Sequence, residues 1–333
     1  MDLRDKIKGR LRLPLIGSPL FIISVPELVI AQCKAGIIGS MPTLNARPLP
    51  QLDEWLAQIT ETLAAHDAAN PDRPSAPFAM NLIVHRSNDR LEDDLKLVVK
   101  HNVPLIISSL GARVEVNDAI HSYGGHVMHD VINQTFAHKA VEKGADGLVL
   151  VASGAGGHAG SQSPFALMQE TRAWFEGPVA LSGSIAHGRS ILAAEAMGAD
   201  FAYMGSAFIA TEEARAVEEY KAMLVASGAE DIVYTNLITG VHGNYLKPSV
   251  RKAGLDPDNL ESSDSSAMSF ASDRQKKWKD IWGAGQSVSG IDAVLPTAEL
   301  VARLHRDYLE ARRKLGGASP LVNPNWARLA QAA

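Results

Sequence analysis

The chain has 333 residues, 46% of them hydrophobic, and a net charge of −5. That is enough for one large α/β domain, and the absence of any long basic block argues against a nucleic-acid partner. The lone cysteine, Cys33, rules out an internal disulfide and every cysteine-based metal motif, and it fits a reducing, cytoplasmic location.

The N-terminal run "LPLIGSPLFIISVPELVIA" has the apolar content of a signal peptide. Pro14, Pro19 and Pro26 interrupt it, and Asp2 and Asp5 occupy the would-be basic region, so cleavage is not expected. No apolar stretch is long enough to span a bilayer. Strands are predicted at 13–18, 37–40, 78–82, 104–109, 126–130, 147–151, 178–182 and 200–204. Helical patterns lie between and after them, at about 26–35, 50–69, 89–101, 112–122, 133–143, 164–175, 187–197 and 212–227. Pro26 suits a first helical turn, while Gly36, Gly144 and Gly198 suit helix ends. Eight strand–helix units imply a closed (β/α)8 barrel, a TIM barrel, with an open doubly wound sheet as the alternative.

Residues 229–290 break this rhythm. They hold the Ser-rich "ESSDSSAMSFASD" and the tryptophans Trp278 and Trp282. The division expected is a barrel over 1–228, a small subdomain over the barrel mouth at 229–290, and a segment 291–333 whose helical pattern at 296–315 packs back on the barrel.

In a barrel, the loops that follow the strands form the active face. After the sixth strand comes Ser153–Gly160, "SGAGGHAG", four glycines around His158. Its G-x-G-x-x-x-G spacing and its position exclude a dinucleotide fingerprint, which should follow the first strand of its sheet. A glycine cluster lets a ligand approach backbone, and an imidazole can exchange protons near neutral pH. The alternative is a flexible turn with a surface histidine.

Gly183 and Ser184 follow the seventh strand, and Gly205 and Ser206 follow the eighth. Loops at these two places frequently bind a phosphate, although both serines would also serve as helix caps. His85, His126, His129, His187 and His242 also fall near loops. His129–Asp130, at a strand end, is the best pair among them, and no H-x-x-x-H metal spacing occurs, so no metal site is expected.

The segments "GADGLVLVASGAGGHAG", "GPVALSGSIAHGRSILAAEAMGADFAYMGSAFIAT" and "WGAGQSVSGI" resemble the nitronate monooxygenase family, once called 2-nitropropane dioxygenases, across most of the chain. The resemblance implies a barrel that binds FMN. It also implies an oxidoreductase that oxidises alkyl nitronates with O2 to carbonyl compounds and nitrite. Gly183, Ser184, Gly205 and Ser206 would hold the FMN phosphate. Asn81 would contact the flavin ring, Gly17 and Ser18 would pass beneath or beside it, and Gly156 would approach it. Gln286 would fold back onto the cofactor, and His158 would be catalytic. The partners implied are a small nitronate or nitroalkane and O2, with no nucleic acid and no membrane, and with a homodimer left open.

The chain departs from the family at two places. The pattern "QGxEAGGH" is here "VASGAGGH", without its Gln and Glu. The "TGRPAR"-like segment is "TGVHGNYLKP", so an anionic substrate would instead meet His242, Tyr245 or Lys247. These differences suggest a subgroup with its own substrate. The scaffold is shared with NAD(P)H-dependent flavin reductases acting on quinones or enoyl thioesters, which is the alternative function. A non-catalytic phosphate-binding barrel is a third.

Overall fold

In a computed structural model, residues 2–262 and 280–316 are described. Trp278, most of the Ser-rich piece and the end of the 291–333 segment lie outside them.

Eight parallel strands run Leu15–Gly17, Gly39–Pro42, Phe78–Ile83, Leu105–Ser109, His126–Val131, Gly147–Val151, Val179–Ser182 and Phe201–Met204. Each pairs with its neighbour in chain order, and the eighth pairs with the first. The first and second strands meet at the Ile16–Ile38 bridge. There Ile38 N donates to Leu15 O at 3.0 Å and Gly17 N donates to Ile38 O at 2.8 Å. That seam closes the cylinder and excludes the open sheet.

The strands read as continuous apolar runs because both of their faces are buried. Ile16, Ile38, Ala79, Leu105, Ile107, Met128, Val149, Ala180 and Phe201 fill the interior. The alternate residues, such as Leu15, Met80, Ile106, Leu148 and Leu181, pack outward against the helices. A short N-terminal helix, Leu3–Lys6, adds Leu3 and Ile7 to the interior cluster. Lys6 Nζ donates to Gly124 O at 2.6 Å, just before the fifth strand, so this segment stoppers the end opposite the mouth.

The helical ring is Pro26–Lys34, Leu49–Ala69, Leu91–Lys100, Val114–His121, Gln134–Glu142, Pro164–Arg172, Gly188–Ala196 and Thr297–Leu315. Gly144 and Gly198 end helices with φ of 92° and 100°, a left-handed turn that favours glycine. The last helix occupies the eighth place in the ring and packs on both Gly188–Ala196 and Pro26–Lys34. At the first of these contacts a Cβ on Gly188 would lie 2.1 Å from Leu304 O, so only glycine allows the two helices this close.

Of the helix predicted at 212–227 only Glu218–Ala226 forms, and a separate short helix, Ser206–Ile209, precedes it. Tertiary bonds divert the chain between them. Arg215 N donates to Ile23 O at 3.0 Å, and the Glu213 carboxylate accepts from Thr297 N at 2.9 Å, capping the last helix. Among the described residues, no helix is long and apolar enough to cross a membrane.

Candidate active site

The region after residue 229 contributes a hairpin, Ile232–Thr235 with Gly243–Leu246. Its inner strand takes Gly157–His158 of the sixth-strand loop as a third, antiparallel strand. Ile238, Tyr245, Val250 and Ile281 form a small apolar cluster beneath the hairpin. The glycine loop is therefore an edge strand whose shape is set by its neighbours. A Cβ on Gly156 would lie 2.8 Å from Gly285 N, and one on Gly154 would lie 2.1 Å from Ser184 Oγ. The segment Ala284–Gln286 lies against these positions, with Gln286 N donating to Gly154 O at 2.9 Å. Close packing, against backbone at Gly156 and against the Ser184 and Gln286 side chains at Gly154, thus explains two of the four glycines.

Buried Asn244 locks the hairpin to this loop, donating through Nδ2 to Ala155 O at 2.7 Å. Asn244→Leu strands that carbonyl and is expected to cost about 1–3 kcal/mol. The urea midpoint measures the loss, and a midpoint equal to that of the wild type would contradict the assignment.

The loops after the seventh and eighth strands meet beside this segment. Gly183 has φ of 120°, and exposed Ser184 is itself left-handed, with φ of 56°. The Ser184 N–H makes only a long bond, 3.4 Å, to Gly154 O, while its hydroxyl reaches Gln286 Oε1 at 3.4 Å. Ser184 lies before the helix Gly188–Ala196, whose N-cap is His187, so it does not cap that helix. Gly205 packs against Ser18, and a Cβ there would lie 3.4 Å from the Ser18 Cβ. Ser206 is buried, and its Oγ accepts from Gly285 N at 2.9 Å. The sequence signals therefore converge in space: Gly183–Ser184, Gly205–Ser206, Gly154 and Gln286 share one patch of the mouth. Loosely bonded N–H groups among small residues suit a phosphate group.

Across the mouth, several inward residues near the strand ends are polar, among them Asn81, Ser109, Asp130 and Tyr203. Asn81 Nδ2 donates to Ile107 O at 2.9 Å and to Ser109 Oγ at 2.7 Å. A carbonyl oxygen can only accept, so the amide orientation is fixed and Oδ1 remains as the acceptor. Ser109 Oγ in turn donates to Asp130 Oδ2. Burial pushes the Asp130 carboxyl up to about 6, against the Ser109 hydroxyl and the Leu110 N–H, which favour the anion. Tyr203 hydrogen-bonds Ser18, and burial first, then Asp130, raises its phenol. Gly17 donates and accepts at the strand seam, and its Cα hydrogen faces Gln32, away from the interior.

His158 is partly buried, and its Nε2 lies 3.1 Å from Thr239 Oγ1. Burial lowers its pKa below the ordinary histidine value, which favours the neutral base. Thr239 also donates to Val241 O at 3.1 Å and hydrogen-bonds Tyr245. Nothing in the sequence singled out Thr239, because it lies 81 residues from His158 and meets it only across the hairpin.

The other histidines take structural or exposed places. His129 and Asp130 do not form a pair, because successive strand residues point to opposite faces. His129 is buried outside the barrel against Asn117 Oδ1 at 3.2 Å, and burial pushes it down to about 4. His126 begins the fifth strand, at the end away from the mouth. His85 bonds Ser87 at 2.8 Å in an exposed turn. Exposed His242 stacks on Tyr234 with ring centroids 5.1 Å apart. Of the residues expected to meet an anion with it, Tyr245 is buried and Lys247 is engaged with Asp258 at 3.2 Å.

Three comparisons bear on what this site belongs to. A nitronate monooxygenase of Paraburkholderia phytofirmans is 27% identical over 91% of this chain and 94% of its own. A hydroxy-methyl-oxo-octahydroindene-carboxyl-CoA dehydrogenase of Mycobacterium tuberculosis is 24% identical over 70% of this chain and 63% of its own. The solved structure of a nitroalkane oxidase from Streptomyces ansochromogenes superposes with a TM-score of 0.77 at 21% identity, covering 93% of this chain and 99% of that one. The family model for nitronate monooxygenase matches residues 6–307, nearly the whole length, and the chain belongs to that family.

Proposed function

We propose that this chain is an FMN-dependent nitronate monooxygenase that oxidises alkyl nitronates with O2 to carbonyl compounds and nitrite. The observation that carries the reading is the placement of His158 on a loop that packs, through Gly154, against Ser184 and Gln286, beside the small-residue loops after the seventh and eighth strands. The donors fit the group. Gly183 and Ser184 are both left-handed and the Ser184 N–H is held only loosely, Gly205 keeps the approach free of a side chain, and Asn81 presents an acceptor at the mouth. When bound, FMN supplies the electron-accepting ring.

The protein's own part is positioning and proton handling. His158, neutral because burial disfavours its cation, removes the carbon-bound proton of a nitroalkane, and once protonated it donates to the oxygens of the nitronate formed. Thr239 holds Nε2 and so leaves Nδ1 for this work. The described residues of 229–290 form the cover: the hairpin pins the glycine loop, and Gly285–Gln286 pack against Ser206 and Gly154 beside the patch.

A second reading, an NAD(P)H-dependent flavin reductase acting on quinones or enoyl thioesters, is favoured by the CoA-thioester dehydrogenase among the relatives. Heat-released cofactor is identified by mass, and O2 uptake and nitrite release are followed with propane-2-nitronate. FMN at one per chain and nitrite in step with O2 are expected. A protein with no flavin, or one that forms no nitrite, would overturn the reading.

A further inference from the structure

We propose that Asp130 is a hydrogen-bond donor to a ring carbonyl of the bound flavin, so that the cofactor binds with Asp130 protonated. This rests on the FMN reading above. The motive is a chain of groups with a fixed direction. Asn81 Nδ2 must donate to Ile107 O, so its second hydrogen goes to Ser109 Oγ and its Oδ1 is left as the acceptor. Ser109 then spends its only hydrogen on Asp130 Oδ2. Asn81 and Asp130 therefore stand side by side on one hydroxyl, at the inner rim of the mouth.

The pyrimidine edge of a flavin reads carbonyl, N–H, carbonyl. Asn81 Oδ1 suits the N–H. The carbonyl beside it needs a donor, and Ser109 has none left. Asp130 supplies one only when protonated; as an anion it would face the carbonyl oxygen in a dry site.

Backbone geometry supports a built position. Leu110, which follows the fourth strand, is left-handed, with φ of 62°, and its N–H points at the Asp130 carboxyl. A non-glycine residue held in that conformation is strained, and such strain persists where the surroundings over-determine it. Asp130 also keeps some exposure although it points into the barrel. The groups that act on it are Ser109 and Leu110 from the fourth strand and its loop, and Tyr203 from the eighth strand. Tyr203 stays protonated, since its phenol is raised, and among the described residues no ammonium or guanidinium group acts on the carboxyl. With the free carboxyl at about 6, the donor form is in place below that pH and is lost above it.

The sign follows from linkage. The protonated state binds, so affinity is full at acid pH and weakens by up to about tenfold per unit as pH rises through the free-state value. The FMN phosphate itself titrates near pH 6. The quantity to read is therefore the ratio of wild-type to Asp130→Asn dissociation constants for FMN, in which the phosphate cancels and the amide is a permanent donor.

FMN-free protein is titrated by flavin fluorescence between pH 5.5 and 8. The ratio is expected to rise at least about tenfold across that range. Ser109→Ala, which removes a bond that favours the anion, should move the rise to higher pH. Wild-type protein at pH 8, where the phosphate is already a dianion, should take up protons on binding FMN, read by calorimetry in two buffers. This last measurement decides if Asp130→Asn does not fold. A ratio independent of pH, or no proton uptake, overturns the inference and leaves FMN binding intact. No FMN binding at any pH overturns both.

Discussion

Gly183→Asp abolishes FMN binding in an otherwise folded barrel: that is the expected result with the largest effect. Gly183 has φ of 120°, and a Cβ there would lie 2.6 Å from Ser153 O and 3.2 Å from Pro164 Cγ. Any side chain is strained at that φ, by about 1–2 kcal/mol. A carboxylate adds repulsion toward the phosphate of about 4 kcal/mol at 4 Å near a protein surface. Together these amount to about a thousandfold or more in dissociation constant. Gly183→Ala carries the strain alone and should lose about tenfold or somewhat more. Flavin content after purification and an FMN titration read both, with circular dichroism to confirm the fold. Normal flavin content in the aspartate variant would show that the phosphate sits elsewhere.

His158→Ala is expected to keep FMN and to lose about 10²–10⁴-fold in turnover of neutral nitroalkanes, the usual contribution of a positioned base. Cofactor retention follows from the separation of the two features: the loop after the sixth strand carries the histidine, and the phosphate patch is built chiefly from the loops after the seventh and eighth. Pre-formed nitronates, which need no deprotonation, should lose less. An equal loss on both substrates would assign His158 to charge stabilisation or positioning instead. The wild-type pH profile is a further check. Burial lowers the His158 pKa, so the base form persists into mild acid, and nitroalkane turnover should fall only below the ordinary histidine range. Full activity of the alanine variant on every accepted substrate would remove His158 from the chemistry.

The barrel was legible because its signals are local. Apolar runs of four to six residues, punctuated by Gly36, Gly144 and Gly198 at helix ends, repeat with a period that only a closed ring of parallel strands satisfies. The small-residue loops were legible from their ordinal positions, after the seventh and eighth strands.

What escaped the sequence depends on contacts distant along the chain. The two-residue strand Gly157–His158 exists only because the hairpin 232–246 pairs with it. Thr239 meets His158 through the same pairing. The break at 211–217 comes from Glu213 capping Thr297, 84 residues later, which outweighs a helical pattern. Asp130 was visible only as half of a pair with His129. Once the strand is placed, alternation sends His129 outward and Asp130 into the mouth, and the pair dissolves into a structural histidine and an interior acid. The glycine cluster was read as room for a ligand, and at Gly154 and Gly156 the nearest neighbours are Ser184 and the backbone of Ala284–Gly285.

Anaerobic reduction of the bound flavin tests the function most directly. Purified protein should show the visible absorbance band of an oxidised flavin. On anaerobic addition of propane-2-nitronate the band should bleach within the turnover time, and it should return with nitrite release when air is admitted. NADH and NADPH at the same concentration should leave it unchanged. Bleaching by a nicotinamide together with no response to nitronate would contradict the proposal and assign the chain to the flavin reductases that share its scaffold.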